Sequence, residues 1–414
     1  MPLYFSKKSL YKEAMNTDER RILVVASFGH FMSHFNMMVF PALVLPLTTY
    51  YHLDFSRVIR LSFLMYLFYG ISALPWGLAT DKFGAKRLLM TFFLGSGMCA
   101  LLAAFFMGTS LGLGLFMAGI GIFSGIYHPA GIGLISRGIR QIGKGMGING
   151  MAGNLGFAFA PLITGFINWK WGPKAAYLFL GVFNLLGCAL IYFLEIKEPE
   201  KKVEEKKSGK DGLLKAFIIL CVAMILGGIT FRGLTVTLPS LFELRNPELL
   251  KALAGAVSFL KSYNVSASIL TSLVFVIGIF GLYLGGYMAD HADLRWGYIA
   301  FNGLAFFGAL GMAYFTDIPL VAVSIFYAFF LTGLQPIENT LVARYTPDRL
   351  RHSGYGVKFV LKFGVGALAV QLVGWIKAAW SIQAVFIMMA IVSLLVVATI
   401  IVLIIVTRPL KAHS

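Results

Sequence analysis

The feature that most restricts the fold of this chain is a series of apolar runs, each about 20 residues long. As a helix, a run of this length crosses the ~30 Å hydrocarbon core of a bilayer. Helices also satisfy their own backbone amides, as lipid requires. We therefore predict an all-α protein embedded in the lipid bilayer, with twelve transmembrane helices near residues 22–47, 58–79, 88–108, 111–136, 146–167, 175–194, 214–242, 266–289, 297–315, 319–342, 355–376 and 384–406.

Basic residues are unevenly distributed among the connecting loops. The chain has 35 Lys and Arg against 18 Asp and Glu, which gives a formal net charge of +17. If the N-terminus is cytoplasmic, most of these basic residues fall on the cytoplasmic side, as the positive-inside rule requires. We therefore expect both termini in the cytoplasm and a location in a bacterial inner membrane. The charge orients the helices, and no nucleic-acid partner is expected.

One long charged stretch, EIKEPEKKVEEKKSGKDG, separates the first six spans from the last six. Its composition is typical of a solvated linker. We therefore predict a six-helix bundle over residues 1–194, a cytoplasmic linker over 195–212 and a second six-helix bundle over 213–414.

Short motifs of the first bundle return in the second with an offset of 209 residues. GLATD (77–81) corresponds to GYMAD (286–290), and GFINWKW (165–171) corresponds to GWIKAAW (374–380). Several matches in the same order indicate an internal duplication. Transporters built from two such repeats hold their substrate between the repeats, near the middle of the membrane.

Two of these segments carry a family resemblance. GLATDKFGAKR (77–87) resembles the loop motif after the second helix of the major facilitator superfamily, and GFAFAPLITG (156–165) is similar to the fifth-helix motif of its antiporters. Within the superfamily, the first half is most similar to the fosmidomycin-resistance branch of proton-coupled exporters. The resemblance implies a twelve-helix fold of two pseudo-symmetric bundles that works by alternating access.

The resemblance also assigns a conformational role to residues at the helix ends. Asp81, in the motif that starts at Gly77, would pair with Arg137 and hold the two halves in the outward-facing state. Asp290 and Arg344 are the corresponding pair of the second half.

Arg232 lies in a segment that otherwise reads as a membrane span. A guanidinium in hydrocarbon costs at least a few kcal/mol, so such residues generally face a partner or a water-filled site. Aligning Pro41 with Pro239 places His34 opposite Arg232, and His30 lies one turn before His34. We predict Arg232 and His34 as substrate-binding residues and His34 or His30 as proton carriers, with purely structural pairing as the alternative.

The eleventh span contains Lys358 and Lys362, which share a helix face because they are four residues apart. We predict Lys362 as a substrate contact, whereas Lys358 either joins it or extends to the cytoplasmic surface. Glu338 is the one acid placed well inside a predicted span. It is expected within reach of these lysines, either as a structural partner or as the titrating group in proton coupling.

Further polar groups within the spans are candidates for hydrogen bonds to a substrate or between helices. These candidates are Asn36, Tyr127, His128, Gln335 and Asn339.

Together these features predict a secondary active transporter for a small organic anion, proton-coupled and monomeric. One alternative keeps the fold and exports amphipathic drugs in exchange for protons. Such an exporter needs an intramembrane carboxylate near an apolar pocket, and this chain is poor in such acids. Another alternative is a membrane sensor or assembly subunit that does not transport.

No nucleotide-binding loop, zincin motif or serine elbow is present in the sequence. We therefore expect no enzymatic activity, no catalytic residues and no cofactor. Cys99, Cys188 and Cys221 all lie in apolar spans and are expected to be buried thiols, and no metal site is expected.

Overall fold

The computed structural model describes residues 15–194, 196, 214–346 and 356–407. Every regular element in these ranges is helical, so the predicted all-α class is confirmed. The predicted linker, 195–212, lies outside the described residues except for Ile196. Below, residues 15–194 are called the N-terminal half and residues 214–407 the C-terminal half.

The N-terminal half contains eight helices: α1 Thr17–Tyr51, α2 Phe55–Arg60, α3 Phe63–Ile71, α4 Ala73–Phe83, α5 Ala85–Phe105, α6 Ser110–Ser124, α7 Gly133–Gly138 and α8 Ile142–Phe193. The described C-terminal half contains α9 Leu214–Arg245, α10 Pro247–Ala256, α11 Tyr263–His291, α12 Leu294–Tyr314, α13 Asp317–Tyr345, α14 Leu368–Ala379 and α15 Ile382–Val406.

Ten helical segments of the described chain are long and apolar enough to cross a membrane, and the bent α2–α4 segment adds an eleventh. Helix α8 is 52 residues long, about twice what one crossing needs. It breaks at Gly172, whose φ of 80° lies outside the helical region. Its two legs match the fifth and sixth predicted spans, so with the legs counted separately all twelve predicted crossings are present.

Two crossings contain a π-helical turn. His128–Ile132 interrupts the fourth crossing between α6 and α7, and Val360–Gly364 interrupts the eleventh before α14. Pro129 lies in the first of these turns and lacks the backbone N–H that a regular helix would use. Such turns are frequent at functional sites. Here they contain His128 and Lys362.

The start of α1 is fixed by a capping box. The Asn16 side chain accepts a hydrogen bond from the Glu19 amide (2.8 Å), and the Glu19 carboxylate accepts one from the Asn16 amide (2.9 Å). The same carboxylate accepts from the Arg140 backbone N–H at 2.8 Å. This contact ties the start of α1 to the segment that leads into α8.

The two halves are joined by hydrogen bonds at the end of the bundle where α1 finishes. Asn264 on α11 donates its Nδ2 to the Ala42 carbonyl at 2.9 Å. Its Oδ1 accepts from Asn168 on α8 at 3.1 Å. Elsewhere, the last turn of α3 and the π-helical turn of the eleventh crossing touch through glycines. A Cβ on Gly70 would overlap the backbone of Gly364, so these two backbones approach as closely as glycine permits.

Candidate substrate site between the two halves

Arg232 lies within α9 and is 2% exposed. Its guanidinium carbon lies 3.8 Å from the centre of the Tyr66 ring, which belongs to α3 of the other half. The flat guanidinium and the face of the ring thus form a cation–π contact between the halves. Tyr66 itself is held in place because its hydroxyl donates to the Met37 carbonyl at 2.8 Å.

The ring does not satisfy the hydrogen-bonding capacity of the arginine. Within the described residues, Nε and Nη1 of Arg232 have no hydrogen-bond partner, although both atoms are buried. No described carboxylate forms an ion pair with the guanidinium. A buried donor without a partner is costly, and a charged one more so. The site therefore presents at least two N–H groups suited to an anion.

Glu338 on α13 is 1% exposed and lies between two lysines of the eleventh crossing. The Lys358 ammonium lies 2.8 Å from Oε1, and the Lys362 ammonium lies 2.8 Å from Oε1 and 3.0 Å from Oε2. The Tyr298 hydroxyl donates to Oε2 at 3.1 Å. The predicted contact between the acid and the lysines is thus present.

Lys358 does not extend to the surface, which was one of its two predicted roles. Its side chain is 4% exposed, and its ammonium contacts Asn339 as well as Glu338. The Lys362 side chain is 11% exposed. Two ammonium groups and one carboxylate leave this group with an excess of one positive charge. With Arg232, the charged groups buried in the membrane are predominantly cationic.

His30, His34 and His128 lie together in the N-terminal half. The His30–His34 ring centres are 4.6 Å apart, and His30 and His128 are 5.4 Å apart. His30 Nδ1 is hydrogen-bonded to the Asn149 carbonyl and His34 Nδ1 to the Gly153 carbonyl, each at 2.8 Å. The backbone of α8 thus fixes both rings of α1.

His128 is held from the other direction. Its Nε2 lies 2.8 Å from the Tyr69 hydroxyl, which in turn lies 3.1 Å from the Ser33 hydroxyl. The His128 ring also stacks on Phe359 of the C-terminal half, with 4.3 Å between ring centres. The third histidine is therefore positioned by a tyrosine of its own half and covered by an aromatic ring of the other.

Aromatic rings connect the histidines to the helix that bears Arg232. The His34 ring centre lies 4.2 Å from that of Phe157, which contacts Phe231 edge-on at 5.6 Å. Phe231 directly precedes Arg232 in α9. Arg232 is close enough to His34 for the two to interact electrostatically, as the predicted pairing of the first and seventh crossings requires.

The other predicted hydrogen-bonding residues have different surroundings. The Asn36 amide is satisfied by Ser124 and by a reciprocal pair with Asn184, so it connects helices inside the N-terminal half. The Tyr127 hydroxyl donates to Asn149 Oδ1 at 2.7 Å. Gln335 is partly exposed, and Asn339 contacts Lys358. Of this set, Asn339 contacts the lysine–glutamate group, and Tyr127 stacks on His30 with 4.8 Å between ring centres.

The predicted conformational residues lie at corresponding helix ends. Asp81 is in the last turn of α4 and Asp290 in the last turn of α11, and both are exposed. Arg137 donates from Nε to the Gly133 carbonyl at 3.2 Å. Arg344 lies near the end of α13 and interacts electrostatically with Asp293. Gly77 packs against Pro129. The role of this set stays a prediction.

Three tyrosines of the site were not singled out from the sequence. Tyr66 supports Arg232, Tyr69 positions His128, and Tyr298 donates to Glu338. Tyr66 and Tyr69 occur in the run YLFYG, and their spacing of three residues places them on one helix face. Their hydroxyl groups within an apolar span could have identified these tyrosines as candidates from the sequence.

This architecture defines a polytopic membrane protein whose polar groups meet between two helical halves. The sequence profile of the Major Facilitator Superfamily matches residues 26–262 and 249–414. The chain therefore belongs to this superfamily, and it is a secondary transporter rather than an enzyme. No curated protein of known function matches it in sequence.

Solved structures of the same fold resemble the chain at low identity. A transporter of the POT family in complex with 5-aminolevulinic acid has a TM-score of 0.72 at 16% identity, covering 93% of this chain and 96% of its own. A bacterial homologue of the human lysosomal transporter Spinster, inward-facing and occupied, has a TM-score of 0.70 at 13% identity, with 94% and 97% covered. A D-xylose–proton symporter has 0.68 at 15%, with 90% and 97% covered.

Proposed function

We propose that the chain carries a small organic anion across a bacterial inner membrane, with both termini cytoplasmic, and that protons drive the transport. The observation that carries the proposal is Arg232, a buried guanidinium with two N–H donors that no described residue satisfies. Carboxylate and phosphate groups match the donor geometry of a guanidinium in two-point contacts. The bound anion would supply the missing charge and the missing acceptors together.

The position of Arg232 supports substrate binding over a purely structural role. It extends from the C-terminal half to the Tyr66 ring of the N-terminal half, so any movement of the halves changes its surroundings. A structural arginine would gain most from a fixed carboxylate partner, and the described residues offer it none. An anion held between the halves would contact both of them, as alternating access requires.

The Glu338 group supports proton coupling. The Glu338 carboxylate is shared by two ammonium groups. Proton uptake on Glu338 would release a lysine, and that lysine could bind the substrate anion instead. Substrate binding and protonation would then favour each other. Lys362, the more exposed of the two lysines, is the one that would make this exchange.

His34 and His30 are the second candidates for the proton carrier. Their Nε2 atoms are buried and have no hydrogen-bond partner among the described residues, so each could accept a proton. Protonation would place a positive charge close to Arg232, however, and Coulomb repulsion opposes that. Glu338 is therefore our first choice.

A drug exporter of the fosmidomycin-resistance type is the second candidate function, and the aromatic rings of Phe157, Phe231 and Phe363 favour it. Their surfaces would suit an apolar substrate. The carboxylate that would hold a cationic drug is engaged by two lysines, which argues for an anion. A sensor without transport activity would not need a charged residue between its halves.

The test is uptake into proteoliposomes with a panel of radiolabelled small carboxylates, phosphonates, sugars and cationic drugs, with and without an inward proton gradient. We expect accumulation of an anion that collapses when an uncoupler is added. In the double variant Glu338→Gln, Lys358→Met, one lysine remains but the acid is lost. This variant should lose accumulation and retain counterflow exchange. Uptake of neutral sugars or cationic drugs alone would refute the anion proposal.

A further inference from the structure

The three histidines of the N-terminal half share a property that transport of an anion does not explain. Each ring uses one nitrogen in a hydrogen bond, and each has a second nitrogen that is buried without a partner among the described residues. These atoms are Nε2 of His30, Nε2 of His34 and Nδ1 of His128. One atom from each residue lies within 4.8 Å of the other two. The three rings thus bring ring nitrogens close together in a buried region where each ring also has a nitrogen without a described partner.

We infer that these three nitrogens form a binding site for a divalent transition metal ion of the zinc type. Neutral imidazole suits zinc, copper, nickel and iron, whereas magnesium and calcium prefer oxygen ligands. A three-histidine set with an open fourth position is a known arrangement for zinc. Among the described residues, no carboxylate joins the three histidines as a ligand. The site should therefore select metals that bind imidazole well.

In His30 and His34 the hydrogen-bonded nitrogen is held as a metal-binding histidine requires. A hydrogen bond to the remaining nitrogen fixes the tautomer and the ring orientation. The Asn149 and Gly153 carbonyls can only accept, so Nδ1 of His30 and His34 carries the proton and Nε2 presents its lone pair. Tyr69 can donate to Nε2 of His128, in which case Nδ1 carries the proton, or accept from it, in which case Nδ1 is free for a metal.

The distances require a small contraction. With a metal–nitrogen distance of 2.0–2.1 Å, nitrogens in tetrahedral positions lie about 3.4 Å apart. From a spacing of at most 4.8 Å, each ring would have to move by about 1 Å or less. The π-helical turn at His128 is the part of the backbone that can yield, since it is not a regular helix.

The backbone around the rings leaves room for them. A Cβ on Gly153 would lie 2.6 Å from Nε2 of His30, so only glycine at this position lets the ring keep its place. The same residue supplies the carbonyl that orients His34. Gly153 thus shapes the site twice, although it would not bind the metal itself.

Two neighbouring cations oppose binding. Arg232 interacts electrostatically with His34, and Lys358 with His128. Their repulsion acts on every divalent cation alike, so it lowers the affinity without changing the order of preference that the imidazoles set. Magnesium should therefore fail to bind where zinc and cobalt succeed.

The test uses the full chain purified in detergent, with any affinity tag removed, and Co²⁺ and Zn²⁺ as probes. We expect one Co²⁺ per chain with a visible absorption band typical of four-coordinate imidazole complexes. Zn²⁺ should displace it and Mg²⁺ should not. His34→Ala and His128→Ala should each weaken binding by at least about 100-fold. Tyr69→Phe, which removes only the supporting hydroxyl, should weaken it about 10- to 100-fold.

The matched control removes the chain's other histidines, with the substitutions His52→Ala, His291→Ala, His352→Ala and His413→Ala. This variant should keep the Co²⁺ band and the affinity of the wild type. Tyr69→Phe preserves the shape of the core, so it tests the site even if a histidine variant does not fold. No band in the wild type, or an affinity that Tyr69→Phe and the folded histidine variants leave unchanged, would overturn the inference.

Discussion

The two halves have corresponding helices but bury different kinds of polar group. In the N-terminal half the central groups are imidazoles, hydroxyls and amides, held by backbone carbonyls or by one another. In the C-terminal half they are an arginine, two lysines and one glutamate. The duplicated framework thus supplies two matching walls, of which one bears charge and the other does not.

This difference separates two tasks. A charged wall can bind an anion and exchange a proton. Its buried charges must balance one another, however, so removing one of them destabilises the others. A neutral wall depends on short hydrogen bonds, each of which contributes about 1 kcal/mol. Changes in the C-terminal wall should therefore have larger effects than comparable changes in the N-terminal wall.

Replacing Glu338 by Gln should have the largest effect. The change removes the carboxylate between Lys358 and Lys362 and leaves two buried cations without a counter-charge. Breaking one side of a buried ion pair costs about 3–5 kcal/mol, and we expect a loss of this size in unfolding measurements in detergent. The additional substitution Lys358→Met should restore part of it.

Glu248→Gln is the matched control, because this exposed residue lies on α10 and should behave like the wild type. On the neutral wall, Tyr69→Phe should cost only about 1 kcal/mol. Equal losses for Glu338→Gln and Tyr69→Phe would contradict the distinction between the two walls.

Gly70→Ala tests how the walls meet. The added methyl would overlap the backbone of Gly364, and backbone cannot move aside as a side chain can. Overpacking of this kind costs about 1–3 kcal/mol. Gly70→Ala should bear this cost only in the conformation in which the two halves touch. Spin labels placed near Gly70 and Gly364 should therefore report longer distances between the halves.

The control is Gly303→Ala, since a Cβ at Gly303 meets nothing within 4 Å. Unchanged distances in Gly70→Ala would mean that the contact between α3 and the eleventh crossing does not limit the approach of the halves.

The pair of Asp293 and Arg295 provides a reference outside the buried walls. Burial alone would raise the pKa of Asp293, but its hydrogen bonds from Arg295 outweigh burial and lower the pKa. A lowered pKa means that the ionised pair stabilises the fold above the unfolded-state pKa of about 3.9 and that this contribution is lost as the pH falls further.

Arg295 of this pair is buried and Asp293 is only partly exposed. A hydrogen bond between charged groups contributes about 1.5 kcal/mol or somewhat more, so the stability difference between the wild type and Asp293→Asn should be of this order. It should be constant from about pH 5 to 7 and vanish in more acidic solution. If the stability difference between the wild type and Asp293→Asn grew as the pH fell, the pKa of Asp293 would be raised in the folded state, which contradicts this account.

Much of the fold could be predicted because length and polarity determine it locally. Twelve crossings and their order could be predicted from the apolar runs of about 20 residues and from the positions of GLATD and GYMAD. The close approach of Gly70 to Gly364 could not be predicted, since it depends on how two helices from different halves are aligned.

The site was predicted in part for the same reason. Charges stand out in an apolar span, so the positions of Arg232, Lys362 and Glu338 inside the membrane could be predicted directly, whereas their roles stay predictions. The three-histidine group was missed, and no metal site was expected. His30 and His34 share a helix face, but His128 lies 94 residues beyond His34, and only the packing of the crossings brings it to them.

Arg232 is the residue on which the proposed function depends, and binding to its variants tests that function most directly. The measurement is equilibrium binding of the transported anion to purified wild type, Arg232→Lys and Arg232→Ala, with thermal stability recorded alongside. Arg57→Lys serves as the control, because that arginine is exposed and paired with Asp54.

Lysine keeps the charge but not the two-point geometry, so Arg232→Lys should lose about 1.5–3 kcal/mol, or roughly 10- to 150-fold in affinity. Arg232→Ala should lose more, and Arg57→Lys should bind normally. Normal binding by both folded Arg232 variants, or a loss of binding that merely follows loss of stability, would contradict the claim that Arg232 holds the anion.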